Sequence, residues 1–310
     1  MIERKMNISI VSPVYMAWDC IDELVQQTIN ACEGISVSYE IILVDDASPD
    51  NSWAKIKVLC SKYSQVKGIR LSRNFGQHNA ITAGLRHTSG DYVIVMDCDL
   101  QDDPAEIPKL YSEVQNGHDG VWAIRNNRRD TFIKILTSLF FYKCFNWLTG
   151  ANYDPRIANY GIFSRQIIMA TLSLNEQMRG YPFMINWVGF NVVKIEVKHS
   201  SSHRNESSYS FMKLINFALG LMFAYSNKPL KMTVLLGLVI SFSSILFAFY
   251  NIYLMYSGQI VIPGYTSLIV SMWLLSGLII FSLGIVGLYV GKIFEGVKNR
   301  PLYIVKTLLN

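Results

Sequence analysis

The chain has 310 residues, room for one large domain plus a smaller element, and its formal net charge of +5 is too modest to argue for a nucleic-acid partner. Hydrophobic residues make up 51% and charged residues 16%, against roughly 25% charged in soluble domains, which speaks against a wholly soluble protein. The deficit is local: between Met232 and Gly291 there is no Asp, Glu, Lys, Arg or His, a stretch long enough for two membrane helices of about 20–25 residues each.

The polar opening "MIERKMN" has no long apolar run behind it, so no secretory signal is expected. The five cysteines (Cys20, Cys32, Cys60, Cys98, Cys144) form no C-x-x-C pair, which predicts reduced thiols on the cytoplasmic side. "ISIVSPVY" reads as a buried strand, with an amphipathic helix over residues 20–33. "EIILVDDAS" is a second strand ending in two aspartates, and Asp50, Asn51 and Ser52 are candidate caps of the next helix. "VKGIRLS" is a third strand, "QHNAITAGLRHT" a helix and "DYVIVMD" a fourth strand. "DPAEIPKLYSEVQNG" is a helix stopped by Gly117, and "GVWAIR" a fifth strand. Short apolar strands alternating with helices define an α/β class with a mainly parallel sheet covered on both faces. In such sheets ligands sit beyond the carboxyl ends of the strands, where Asp45, Asp46, Arg73, Asn74, Asp97 and Asp99 all fall. Neither G-x-G-x-x-G nor a phosphate-binding P-loop occurs.

After Arg125 the character changes. "RNNRRD" is a basic loop, and "TFIKILTSLFFYKCFNWL" is a helix either buried in protein or lying among lipid headgroups with Lys134 and Lys143 reaching outward. A second such stretch, 211–225, leads into membrane helices placed at 233–256 and 267–291. Lys228 and Lys231 flank them on one side; Lys292, Lys298, Arg300 and Lys306 flank them on the other. With an uncharged linker between the helices, both termini are expected on the cytoplasmic face. Gly277, Gly284, Gly287 and Gly291 fall near one face of the second helix, a stripe expected to pack on the first helix or on a neighbouring subunit.

"VMDCDLQDDP" puts four carboxylates at the end of the fourth strand. Carboxylates at such density need a cation, a protein partner or open water. D-x-D at a strand end suits Mg²⁺ or Mn²⁺, which take oxygen ligands and leave positions for phosphate and water. On an extended segment Asp97, Asp99 and Gln101 would share one side. Asp102 and Asp103 precede Pro104 and would cap the following helix. A lone D-x-D is weak evidence; beside "VDDAS", "LSRN" and an apolar hairpin it is far more specific.

"SPVY", "VDDASPDNS", "LSRNFGQHNAITAGL", "GDYVIVMDCDLQDDPAEIP" and "WVGF" resemble the family 2 glycosyltransferases of GT-A fold that load a sugar onto a polyisoprenyl phosphate. "GLYVGKIFEGVKNRPLYIVK" is similar to the tail of the bacterial, two-helix branch, which includes bactoprenol glucosyltransferases and undecaprenyl-phosphate formamido-arabinose transferases. "RNFGQH" and "YSFMKLIN" lean toward the latter. The resemblance implies a cytoplasmic GT-A domain over 1–210, a juxtamembrane amphipathic helix over 211–231, a transmembrane hairpin over 232–291 and a basic cytoplasmic tail over 292–310. It implies that Pro13, Tyr15, Asp46 and Asp97 bind the nucleotide, and that Asp97, Asp99 and Gln101 surround the metal. Arg125, Arg128, Arg129, Lys134 and Arg204 are implied for the acceptor phosphate, and Asp99, Arg125, Arg128 and Asn159 for catalysis.

The reaction implied is inverting transfer from a nucleotide sugar to undecaprenyl phosphate at the inner face of a bacterial cytoplasmic membrane, for cell-envelope glycan. The implied partners are donor, lipid acceptor, bilayer and a homo-oligomer, a tetramer in relatives, without nucleic acid. A transferase extending a sugar on lipid diphosphate, a non-catalytic scaffold and a flippase component are the alternatives; the absence of charge within the spans argues against transport.

Three positions depart from the family. Its N-E-E after "PVY" reads "MAWD", leaving Asp19. Its R-x-x-G-x-S-K-Y reads "SHRNESSY", with Arg204 displaced by two residues. Its G-D-[FY] reads "ANYG", with Asn159 where an aspartate is usual. His78 reads as a packing residue, and Arg73 as either a site residue or a salt-bridge partner.

Overall fold

The computed structural model describes residues 7–125, 143, 146, 147, 154, 156–198, 226–257 and 264–310. They fall into two compact units, one of which joins the N-terminal part of the chain to residues 301–310.

That unit is one eight-stranded sheet. Strands β1 (Asn7–Val14), β2 (Ser38–Asp45), β3 (Val66–Leu71), β4 (Tyr92–Val95), β5 (Gly120–Arg125), β6 (Ile157–Ser164), β7 (Val192–Val197) and β8 (Val305–Leu309) take the order β7-β5-β6-β4-β1-β2-β3-β8. β1 pairs in parallel with β2 and β4, β2 with β3, and β5 with β7. β6 is antiparallel to both its neighbours, and β8 is antiparallel to β3.

Six carboxyl ends therefore meet at one edge. The chain runs outward from β1 through β2 to β3 and returns to the other side of β1 for β4. That reversal opens a crevice between the ends of β1 and β4, where α/β sheets bind ligands.

Alternation along the strands builds the two cores. Ile10, Ile41, Leu43 and Ile94 face helices α1 (Ile21–Gly34), α2 (Ser52–Lys62) and α4 (Ile107–Gln115), where Leu24, Ile56 and Leu110 complete one cluster. Val11, Ile42, Val44, Val93 and Val95 face α3 (Gln77–Arg86), α5 (Arg165–Ser173) and α6 (Tyr181–Trp187), which supply Ala80, Ile81, Ile167 and Ile185. Gly84 lets α3 lie close on the sheet, since a Cβ there would come within 2.4 Å of Val11 Cγ1. At the opposite edge of the sheet the buried Glu40 carboxylate accepts from Ser9 Oγ and from the Ser89 N–H and Oγ, and pairs with Lys67 at 2.8 Å. No charge is left unanswered there, so this network is structural.

The five strands read from the sequence are β1–β5. The segment read as a basic tail, 292–310, contains one further strand: residues 305–309 form the edge strand β8. Cys20, Cys32, Cys60 and Cys98 form no disulfide, and burial pushes the pKa of Cys32 up to about 12 and that of Cys60 up to about 11, so neither Cys32 nor Cys60 is a nucleophile near neutral pH.

The second unit contains α7 (Lys228–Tyr256) and α8 (Tyr265–Val297). Both are longer than the spans read from the sequence, and both are long and apolar enough to cross a membrane, with mean hydropathy 2.0 over Lys228–Phe247 and 2.2 over Ser271–Val297. Their outward side chains are apolar: Leu235, Phe247, Trp273 and Ile280 are all exposed. Ser244 and Ser282 donate to the carbonyls of Ile240 and Leu278, each at 2.8 Å, which satisfies both hydroxyls within their own helices. A Cβ at Gly277, Gly284, Gly287 or Gly291 would meet nothing within 4 Å. Among the described residues, then, nothing of the first helix packs on the glycine stripe, the first of the two partners expected for it. The juxtamembrane stretch 211–225 lies outside the described residues.

Candidate functional site

Three loops at the carboxyl edge are locked to one another. Asp46 follows β2 and is 3% exposed. Its Oδ1 accepts the Phe75 N–H at 2.7 Å and its Oδ2 the Gly76 N–H at 2.8 Å. Burial pushes this carboxyl up, opposed by those two N–H groups and by the positive charge of Arg73. Gly76, with φ 91°, takes a left-handed turn into α3 that side-chain-bearing residues rarely adopt. The β1 loop is tied to the β2 loop: the Met16 N–H donates to Ser48 Oγ at 3.0 Å, the Ala17 N–H to Ser52 Oγ at 3.3 Å, and the Trp18 N–H to Asp50 Oδ2 at 3.4 Å. Asp45 is wholly buried, accepting the Ser48 N–H and pairing with Arg70 at 3.3 Å.

The D-x-D segment has a different shape from the extended one expected. β4 ends at Val95, residues 98–100 form a turn, and Leu100 has φ 59°. Period-two alternation therefore does not carry past Asp97, and Asp97, Asp99 and Gln101 do not share a side by strand geometry. The turn is closed by the carboxylates themselves: Asp99 Oδ1 accepts the Gln101 N–H at 3.1 Å, and Asp102 Oδ2 accepts the Asp97 N–H at 3.1 Å. Of the second pair only Asp103 caps the short helix that follows, accepting the Ala105 N–H at 2.9 Å. Asp102 is buried and folds the loop back on the strand. Met16, Ala47 and Leu100, three of the non-glycine residues with positive φ, lie on the loops after β1, β2 and β4, and such conformations concentrate at ligand sites.

Asp97 is where the site converges. Its Oδ1 accepts Gln77 Nε2 at 2.8 Å, from the first turn of α3, and Asn159 Nδ2 at 3.2 Å, from β6. The second contact follows from register. β6 runs antiparallel to β4 with Val95 opposite Gly161, so Asn159 stands opposite Asp97 two residues beyond. The structure thus brings Asn159 to the D-x-D edge from 62 residues away. Gln77 was not foreseen as a site residue; the only signal was its place in "RNFGQH", at the mouth of a helix facing the carboxylates.

The other foreseen residues are placed as follows. Pro13 is buried near the end of β1, and Tyr15, the residue after β1, is 41% exposed. Arg125 is the last residue of β5, at the same edge of the sheet. Arg128, Arg129, Lys134 and Arg204 lie outside the described residues. Arg73 is exposed, its guanidinium 4.5 Å from the centre of the Phe75 ring. His78 is a packing residue: burial pulls its imidazole down to about 4, and its Nδ1 accepts the Tyr181 N–H at 3.4 Å. Asp154, the other carboxylate near β6, is bound to Arg156 through Nε at 3.1 Å and Nη2 at 2.8 Å, and to Lys194 at 3.1 Å. These cations, Arg156 foremost, hold it well below the usual carboxylate range.

Among the described residues no three His, Cys, Asp or Glu side chains gather as a metal cluster. Two carboxylates at a loop, with oxygen donors only, nevertheless fit a cation whose remaining positions are filled by substrate phosphates and water, as Mg²⁺-type sites are.

A crevice at the switch point of a mostly parallel sheet, edged by D-x-D, defines a GT-A transferase fold. Residues 9–169 match the family described as Glycosyl transferase family 2. The chain is 33% identical over 304 residues to an uncharacterized glycosyltransferase of Synechocystis sp., covering 98% of this chain and 96% of that one. It is 34% identical over 305 residues to the undecaprenyl-phosphate 4-deoxy-4-formamido-L-arabinose transferase of Shewanella sediminis, covering 97% and 92%. Among solved structures it is similar to the glucosyl-3-phosphoglycerate synthase of Mycobacterium tuberculosis in complex with Mn²⁺, UDP and phosphoglyceric acid. There the TM-score is 0.52 at 18% identity, over 71% of this chain and 77% of that one. The chain belongs to glycosyl transferase family 2 and is a glycosyltransferase.

Proposed function

We propose that the protein transfers a glycosyl group, with inversion, from a nucleoside-diphosphate sugar to a polyisoprenyl phosphate, undecaprenyl phosphate in a bacterium. The observation that carries this reading is the union in one chain of the D-x-D crevice and two membrane-length helices. The name of the Shewanella relative supports the acceptor. Membrane placement brings the enzyme to a lipid that cannot leave the bilayer. β1–β7 precede the apolar helices and β8 follows them, yet all lie in one sheet. The chain must then return to the side it started from, which supports a hairpin with the sheet on a single face. The lysines and arginine at its ends favour the cytoplasmic face.

Asp97 and Asp99, with Gln101 beside them, would hold a divalent cation; the Mn²⁺ reported for the mycobacterial synthase favours Mn²⁺ or Mg²⁺. When bound there, the cation neutralises charge developing on the leaving diphosphate. Gln77 and Asn159 fix the Asp97 carboxylate, and Asp46 fixes the loop that carries Gln77. Tyr15 and Pro13 edge the nucleotide side of the crevice. Asn159 has an amide and takes no proton, and Asp154 is committed to two cations. Neither serves as general base. A phosphate acceptor does not need one, because the second ionisation of a phosphomonoester lies near about 6 and its oxygen is already anionic at neutral pH. Arg125, with Arg128, Arg129, Lys134 and Arg204, would bind that phosphate and align it for attack on the anomeric carbon. A homo-oligomer, with the glycine stripe of α8 at a subunit contact, completes the proposal.

The test is a screen of nucleotide sugars with undecaprenyl phosphate and the full chain in bilayer nanodiscs, with mass spectrometry of the lipid. One glycosyl unit added to the lipid monophosphate supports the reading. Addition only to a lipid-diphosphate sugar, or none with any donor, would overturn it.

A further inference from the structure

β8 is the last strand of the sheet and comes from the far end of the chain, after α8. It pairs with β3 from Gly68↔Leu309 to Leu71↔Val305, and its register slips by one residue between Arg70 and Leu71. The slip matters because it turns the strand over. Leu309 packs with the first core cluster, while Tyr303 and Val305 pack with the second, the one that also takes Phe75. The pairing then continues past the end of β3: the Ser72 N–H donates to the Ile304 carbonyl at 2.9 Å. Ser72 opens the loop whose Phe75 and Gly76 N–H groups are held by Asp46, and which hands over at Gln77 to α3 and to Asp97. The other end of α3 is engaged too, since the Arg86 guanidinium stands 5.8 Å from the centre of the Tyr303 ring.

We propose that residues 301–310 are a positioning element of the nucleotide site, holding the Ser72–Gln77 loop and α3 so that Gln77 reaches Asp97. This rests on the reading of that edge as the nucleotide site. Three contacts carry it. The β3–β8 ladder fixes where the loop begins, the Ser72–Ile304 bond extends the ladder into it, and the Tyr303 ring packs against the second core cluster, which Phe75 also joins, and stands beside Arg86. β8 acts on the site through that loop and not as a source of catalytic groups. Its effect on donor binding would be transmitted through the backbone of Phe75 and Gly76 and the amide of Gln77. An edge strand whose only task was to cover β3 would need neither the turnover at the slip nor the bond beyond the ladder.

The experiment compares the full chain in nanodiscs with Tyr303→Ala, Tyr303→Phe and a chain ended after Arg300, the last with and without the peptide PLYIVKTLLN. Hydrogen exchange of the Phe75 and Gly76 amides is read by mass spectrometry, together with Kd for UDP with Mn²⁺ and the KM and kcat of transfer. The coupling predicts exchange at least tenfold faster at both amides in Tyr303→Ala and in the shortened chain. Tyr303→Phe should behave as the parent, and the peptide should restore the shortened chain. Donor KM and UDP Kd should rise by a similar factor, more than kcat falls. Exchange and Kd unchanged in Tyr303→Ala, with only a lower melting temperature, would overturn the proposal. Should the shortened chain fail to fold, Tyr303→Ala, which keeps the strand, decides alone. The exchange measurement needs no substrate, so a failure of the coupling is distinguishable from a failure of the glycosyl-transfer reading.

Discussion

Asp154→Asn separates a mechanism with a protein base from one without. The Asp154 carboxylate is 13% exposed, while its partners Arg156 and Lys194 are 49% and 38% exposed. With both cations largely in solvent, each pair belongs near the surface range of about 0.2–1 kcal/mol. Asparagine keeps an oxygen for the Arg156 N–H, which Asp154 Oδ1 accepts at 3.0 Å. The expected loss is about 1 kcal/mol, a fall of roughly 2–4 °C in melting temperature for a domain of this size.

The pH dependence follows from the direction of the shift. The folded carboxyl is held below its unfolded value of about 3.9. Its stabilising contribution is complete above that value and is lost as pH falls through the folded pKa. The stability gap between parent and variant should therefore be flat from pH 5 to 8 and close below about pH 4. Transfer should stay within a few-fold of the parent across pH 6–8, with the rate following the acceptor phosphate's own ionisation near about 6. A general base contributes about 10²–10⁴-fold. A loss of that size in Asp154→Asn, with UDP and Mn²⁺ binding intact, would refute the reasoning and make Asp154 the base.

Asp99→Ala should abolish transfer while the protein stays folded and membrane-bound; near-normal turnover in the presence of a chelator would end the metal-site reading. Gln77→Ala frees one side of Asp97 and should raise the Mn²⁺ concentration needed for half-maximal UDP binding about tenfold, and an unchanged Mn²⁺ titration would contradict the clamp. Asp46→Ala removes two charge-assisted N–H bonds of about 1.5–3 kcal/mol each and should lower the melting temperature and weaken UDP binding together. A lower melting temperature with unchanged UDP binding would make Asp46 a fold residue only.

β1 to β5 were legible because their apolar runs are bounded by Asp, Asn, Ser and Gly, and the convergence of carboxyl ends followed from the parallel alternation. β6 was hidden by the Asn and Gly in "IANYGIFS". Yet it is the antiparallel partner that sets Asn159 opposite Asp97. β8 was read as tail because pairing with β3 depends on the rest of the sheet already being built. The D-x-D motif lies at the carboxyl edge as its sequence position implied, but the inference of a shared face failed at Leu100, whose positive φ no pattern of polarity encodes. Gln77 was missed because an isolated amide has no signature of its own. What marks it is the turn at Gly76, visible only once the backbone is known.

The central claim is that the crevice between β1 and β4 binds a nucleoside diphosphate through the Asp97–Asp99 turn. Equilibrium binding of UDP, GDP, CDP and dTDP to the full chain in nanodiscs, with and without Mn²⁺, tests it most directly when repeated on Asp97→Ala. The account predicts that at least one nucleotide binds, that Mn²⁺ tightens it by tenfold or more, and that Asp97→Ala abolishes the Mn²⁺ effect without unfolding the domain. Nucleotide binding of equal strength with and without Mn²⁺, unaltered in Asp97→Ala, would contradict it.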